Sequence, residues 1–147
     1  MAFEGSKQDL WSALRELASV QVFAKDAMLF ERGAEARGIH LILSGQVQLW
    51  MPAESGAPGI TNVVGAKSVL GLSESICGTT HKLSAKATLP AETAFIARPV
   101  FLEVLQTHHE FCMDVVRTLS EDLHGLYHRF QSIAVVPNRG RRPLTGT

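Results

Sequence analysis

Six histidines and two cysteines are the residues best suited to metal or nucleophilic chemistry in this chain. Glu121, His124 and His128 fall at i, i+3 and i+7, so a helix places them on one face, and His124-x-x-x-His128 has the spacing of a metal-ligand pair. The same register puts them on the outer surface of their helix, away from its apolar row, and solvated side chains are the favoured reading. His108 and His109 are neighbours in a first helical turn and point apart, which makes a shared ion improbable. A β-roll metalloenzyme would need His-x-His and a downstream Glu on its strands, whereas His40 is followed by Leu41-Ile42. No Ser/His/Asp or Cys/His set stands at a spacing that assigns catalysis. Cys77 and Cys112 cannot form a disulfide framework and lack the C-x-x-C spacing of a zinc site. These residues point to a chain that binds or assembles, with no metal and no enzymatic activity.

Composition sets the bounds around them. A chain of 147 residues with 46% hydrophobic side chains is about one domain and can bury a core. The 14 basic and 14 acidic residues cancel, so no global field draws the chain to nucleic acid or anionic membrane. Arg139, Arg141 and Arg142 lie together near the C-terminus, so the residues before them carry an acidic excess and a small basic tail follows. The opening MAFEGSKQDLW has no apolar leader, and nothing approaches the ~18 unbroken apolar residues of a membrane span. A cytoplasmic chain without membrane contact is the expectation.

The elements that must position these residues follow from periodicity. Ser6 and Asp9 have capping-box spacing ahead of Leu10, Trp11, Leu14 and Leu17, which predicts a short N-terminal helix. Ile39, Leu41 and Leu43 alternate, Ser44-Gly45 punctuates, and Val47 and Leu49 alternate again, which predicts two strands meeting at a tight turn. Pro52–Gly59 reads as a hairpin loop, and strand-like pieces resume at 60–64, 68–70, 83–88 and 93–96. Pro99 suits a first helical turn ahead of Phe101, Val104 and Leu105. Thr107 and Glu110 have capping-box spacing for a second helix that runs to about Ile133. Along it Cys112, Val116, Leu119, Leu123, Leu126, Phe130 and Ile133 are spaced 4, 3, 4, 3, 4 and 3, an a/d seam over three heptads. Val115 and Tyr127 lie beside the seam and could pack on the strands, leaving the a/d row for a second copy. The fold class is α+β: a β-roll (double-stranded β-helix or jelly roll) with a short N-terminal helix and a long C-terminal dimerisation helix. The domain is expected to span residues 6–134, with 135–147 expected as a flexible basic tail.

This order of elements resembles the effector domain of the catabolite-activator (CRP/FNR) family and other cyclic-nucleotide-binding domains, over roughly residues 8–134. The resemblance rests on Phe30-x-x-Gly33, Ile39-x-Leu41-x-x-Ser44-Gly45-x-Val47-x-Leu49, Val69-Leu70-Gly71, and Ala87 followed by Ile96-x-Arg98-x-x-Phe101. Such domains hold their ligand in a phosphate-binding cassette, in which a Glu takes the ribose 2′-hydroxyl and an Arg pairs with the cyclic phosphate. The cassette maps onto Gly71–Ala87. Gly71, Gly78-Thr79, Ser84 in place of a Thr, and Ala87 keep its frame. Leu72 stands where the Glu would be and His81 where the Arg would be.

The resemblance implies a ligand site made of Gly71, Leu72, Ser73, His81, Lys82 and Ser84, capped from the long helix by Tyr127 or Ser120. Its ligand would be a cyclic nucleotide or another small anion. Leu72 cannot accept a hydrogen bond, and His81 cannot make the bidentate fork of an Arg, so cyclic AMP binding in the usual mode is not expected. Glu74 could replace the missing acid only in a rebuilt loop. Cys77 is expected as a small buried residue of the cassette, in preference to a thiol activated at a helix N-terminus. The resemblance also implies a homodimer through the seam. Regulators of the family continue into a helix-turn-helix, whereas Asn138–Thr147 holds Pro143, Gly140 and Gly146 and offers no recognition helix. A sensing domain, or a scaffold that has lost its ligand, is the expectation, with no direct contact to DNA by this chain.

Overall fold

The computed structural model describes residues 15–51 and 61–134, with side chains described as far as Gly125. All but the end of the expected N-terminal helix, the loop Pro52–Gly59 and the tail 135–147 lie outside the described residues. The chain divides into two units, Met1–Cys112 and Met113–Thr147.

Two long antiparallel strands organise the first unit. β3 (Gly38–Trp50) and β6 (Ser84–Ala97) pair from Gly38 opposite Ala97 to Trp50 opposite Ser84. Short strands flank each end of this ribbon. β1 (Ser19–Phe23) lies along Ala91–Phe95 of β6, and β2 (Met28–Phe30) along Ala85–Lys86. On the other side, β5 (Val69–Leu70) lies along His40–Leu41 of β3, and β4 (Thr61–Val64) along Val47–Trp50. Each half of the ribbon therefore carries its own pair of edge strands. The result is an antiparallel β-roll of the jelly-roll kind.

Between the halves, the structure corrects one expectation. Ser44-Gly45 is not a turn between two strands. Gly45 has φ +95°, and a Cβ there would overlap Pro90 O and the Ala91 backbone. The glycine lets β3 pass close over β6 at a bulge, where the register shifts between Ile42 and Val47, and the strand continues. The pieces expected at 83–88 and 93–96 are likewise one strand. Pro90 sits at the bulge with no registered partner on β1 or β3, so its missing N–H costs the ladder nothing.

The interior of the roll holds Ile42, Val47, Leu70, Ala85, Ala87 and Ala91, with Phe23, Leu29, Phe30, Leu49 and Val64 packed against them. Three helices follow or interrupt the strands: α1 (Leu72–Cys77), α2 (Arg98–Thr107) and α3 (His109–Ala134). Pro99 opens α2 as expected. Phe101 of α2 and Phe111 at the start of α3, both buried, meet edge to face at 6.1 Å. The Thr107 hydroxyl, expected to open α3, instead donates to Glu103 O at 2.9 Å and so helps close α2.

Two glycine substitutions should move stability in opposite directions. Gly45→Ala should cost at least about 2 kcal/mol, because it combines overpacking with a left-handed backbone. Gly125→Ala meets nothing within 4 Å and should add about 1 kcal/mol of helix propensity. Urea denaturation of the two variants checks both signs.

Candidate functional site

The cassette segment is folded around the His81 ring. Gly71 turns the chain into α1 at φ +87°, and no side chain caps that helix. A Cβ on Gly71 would reach Gly38 O at 3.0 Å and His81 Cε1 at 3.5 Å, so the glycine brings the start of α1 down onto the imidazole. The backbone of His81 is held at both its N–H and its carbonyl. Its N–H donates to Ala34 O at 2.9 Å, and its carbonyl accepts from Gly33 N at 2.9 Å. The ring lies flat on Phe30, with centroids 3.7 Å apart and planes 10° apart.

A second histidine continues the stack. His40 of β3 lies 6.1 Å from the Phe30 ring, 4.9 Å from Phe95 and 6.0 Å from Phe23. It is hydrogen-bonded through Nδ1 to Thr93 Oγ1 at 2.9 Å, and Thr93 is fully buried. Both imidazoles are 5% exposed. Burial, reinforced by the nearby His81, holds the His40 pKa down to about 4. Burial also holds His81 below its ordinary value, while Glu74 pulls it part of the way back. Near neutral pH these rings are uncharged, which suits an aromatic cluster and offers a phosphate no cation.

The remaining cassette residues divide by exposure. Leu72 is 4% exposed and belongs to the interior, whereas Ser73 and Lys82 face outward. Ser84 is buried, and its Oγ accepts the Arg32 N–H at 2.9 Å, which ties β6 to the turn after β2. Cys77 is exposed in the last turn of α1, so the expected buried cysteine is corrected, and it stands away from the helix N-terminus. His40 was legible only as a poor metal ligand. The alternation of Ile39, Leu41 and Leu43 sets it on the opposite face of β3, and no local signal marks that face as buried too.

The heptad residues are partly described. Cys112 and Leu119 are half-buried, Val116 and Leu123 are 47% and 49% exposed, and their neighbour Val115 is 2% exposed. The side chains of Leu126, Tyr127, His128, Phe130 and Ile133 lie outside the described residues, and Ser120, Glu121 and His124 are exposed. Among the described residues no three His, Cys, Asp or Glu side chains are grouped to hold a metal ion. No described helix is long and apolar enough to cross a membrane.

The two histidines give stability a defined pH dependence. A His40 imidazole that titrates near 4 in the fold and near 6.5 in the unfolded chain leaves the unfolded state with more protons between those values. Its contribution is therefore complete above about pH 6.5 and falls as pH drops towards 4, by about 3 kcal/mol in all. Urea melts at pH 7.5 and 4.5 should show this loss. His40→Phe should flatten the slope in that window, while costing about 1–3 kcal/mol at neutral pH through the orphaned Thr93 hydroxyl.

A family model described as cyclic nucleotide-binding domain matches residues 20–108. No curated protein sequence matches the chain. Among solved structures, the catabolite activator protein of Thermus thermophilus is 15% identical, with a TM-score of 0.77 over 86% of this chain and 59% of that one. A cyclic nucleotide-binding domain from Methylobacillus flagellatus is 20% identical, with a TM-score of 0.68 over 86% of this chain and 71% of that one. The sensor domain of the transcriptional regulator DNR from Pseudomonas aeruginosa is 18% identical, with a TM-score of 0.67 over 87% and 95%. The chain spans a little over half the length of the Thermus protein. At these identities the likeness is one of fold. The family match runs from β1 through α2 and takes in the whole roll with its cassette, so the chain belongs to the cyclic nucleotide-binding domain family.

Proposed function

We propose that this chain is a non-enzymatic regulatory domain whose cassette does not take ribose and cyclic phosphate in the family's usual way, and which dimerises through α3. The observation that carries the reading is the His81 ring, uncharged, buried and stacked on Phe30 at the position where the resemblance implies a phosphate-binding Arg. Leu72 supports it. A ribose hydroxyl set against that side chain would lose water without gaining a partner, at about 1–3 kcal/mol. The one adjacent cation, Lys82, is exposed while His81 is buried. A small anion remains the ligand class to screen, and a scaffold without ligand is the alternative.

The dimer reading rests on α3. Val116 and Leu123 each keep about half their surface open on a seven-residue apolar row, and Val115 beside them is already buried. Burying that row against a second copy would remove apolar surface at about 25 cal/mol per Å². Direct reading of DNA by this chain is not part of the proposal. α3 carries Glu110, Asp114, Glu121 and Asp122 against Arg117 and Arg129, an acidic balance that phosphates oppose.

Thermal shift with cyclic AMP and cyclic GMP tests the first half. The unmodified protein should show no shift. Leu72→Glu with His81→Arg should be less stable alone and gain about 2.7 kcal/mol at a hundredfold excess over Kd. A clear shift with the unmodified protein overturns the reading. Sedimentation tests the second half. The unmodified chain should be a dimer at tens of micromolar, and Leu123→Asp, which sets like charges across the twofold axis, should be a monomer.

A further inference from the structure

We propose that Arg98 is a positioning residue that couples the cassette helix α1 to the start of α2, so that a shift in either is felt by the other. Arg98 belongs to the Ile96-x-Arg98-x-x-Phe101 motif, and the ligand reading above gives it no role.

α1 cannot hold its own position. It has six residues, its N-cap is Gly71 at φ +87° with no side-chain hydrogen bond, and its C-cap is Gly78 at φ +73°. A helix this short is far below the length that is stable alone. Inside it, Ser75 Oγ is buried with no hydrogen-bond partner. Such a group adds nothing to the stability of the arrangement and marks a helix kept in place by its surroundings.

Those surroundings converge on Arg98. Its Nε donates to Ser75 O at 2.6 Å, a charge-assisted bond to a carbonyl of α1. Its guanidinium lies against Gly78, where a Cβ would come within 2.9 Å of Nη2. Its own backbone N–H donates to Arg37 O at 2.8 Å. The next residue, Gly38, is the one whose carbonyl lies under Gly71 at the other end of α1. One residue therefore touches the last turn of α1, the first turn of α2 and the segment against which α1 begins. α2 leads through His108 directly into α3, so the clasp sits on the covalent route from cassette to dimer helix.

Coupling of this kind is reciprocal: a change made at either end must register at the other. Residue-resolved amide exchange on the full chain reads both directions. Arg98→Ala should speed exchange of the Ser75, Gly78 and Thr79 amides about tenfold or more, with the amides of β3 and β6 unchanged. Gly78→Asn keeps the left-handed backbone but sets a side chain against the guanidinium, and should speed exchange of the Arg98 amide. If Arg98→Ala fails to fold, Arg98→Lys carries the same reading, since its ammonium cannot reproduce the Nε fork. Unchanged α1 amides in the Arg98 variant, an unchanged Arg98 amide in Gly78→Asn, or one common factor across all amides would overturn the proposal. None of these outcomes depends on whether the cassette binds a nucleotide, so the clasp and the ligand reading fail separately.

Discussion

Everything in the first unit depends on how closely β3 and β6 approach one another. A Cβ on Gly38 would overlap Ile96 O, and one on Gly45 would overlap Pro90 O, so the two strands touch backbone to backbone at both places. Four alanines of β6, Ala85, Ala87, Ala91 and Ala94, are buried along the same ribbon, small enough to keep the sheet close to what covers it. This contact fixes the register from Gly38 to Trp50, and the register decides which residues face inward. A slip of one residue would turn His40 and Thr93 away from each other and scatter the aromatic cluster.

The cassette is a consequence of that ribbon. Gly38 lies beneath Gly71, Ala34 and Gly33 hold the His81 backbone, and Ser84 at the start of β6 is tied to Arg32. The loop that a ligand would have to enter is thus braced from three sides before any ligand is considered. What stands at its centre is a cluster of rings, Phe95, His40, Phe30 and His81, of which Phe30 and His81 are stacked, and Leu72 of α1 is buried.

Much of this was legible in the residues, and the misses have physical causes. The strand character of 39–49, the long helix and Pro99 at the head of α2 are local signals, and the structure follows them, although residues 38–42 are buried on both faces. Ser44-Gly45 misled because a glycine at positive φ serves a turn and a bulge equally well. Only the distant Pro90 and Ala91, against which it packs, tell the two apart. Thr107 misled in the same way: its spacing to Glu110 fits a cap, but its hydroxyl found the nearer carbonyl of Glu103. The cassette's frame could be placed because its glycines are tied to backbone shape. Whether Cys77 was buried could not, since a six-residue helix has too few turns for periodicity to show which side faces water. His40 was missed because its partners Phe30, Thr93 and Phe95 are remote in sequence and meet it only across the sheet.

On the proposed reading, a neutral ring at position 81 and an intact cassette frame belong together. A buried Arg at position 81 would set a cation against Phe30, with the nearby Glu74 offsetting only part of its desolvation. A neutral imidazole stacked on Phe30 carries no such cost, and its backbone bonds to Gly33 and Ala34 keep the loop in the same place. On the proposed reading, a neutral residue here frees the fold from needing an anion while its backbone bonds still tie the cassette to the rest of the roll. Arg98 adds a side-chain contact. A guanidinium that bonds a carbonyl of α1 and lies against Gly78 ties that helix to the start of α2. The contact is one of hydrogen bonding and shape, so it holds α1 against α2 whether or not an anion enters the cassette.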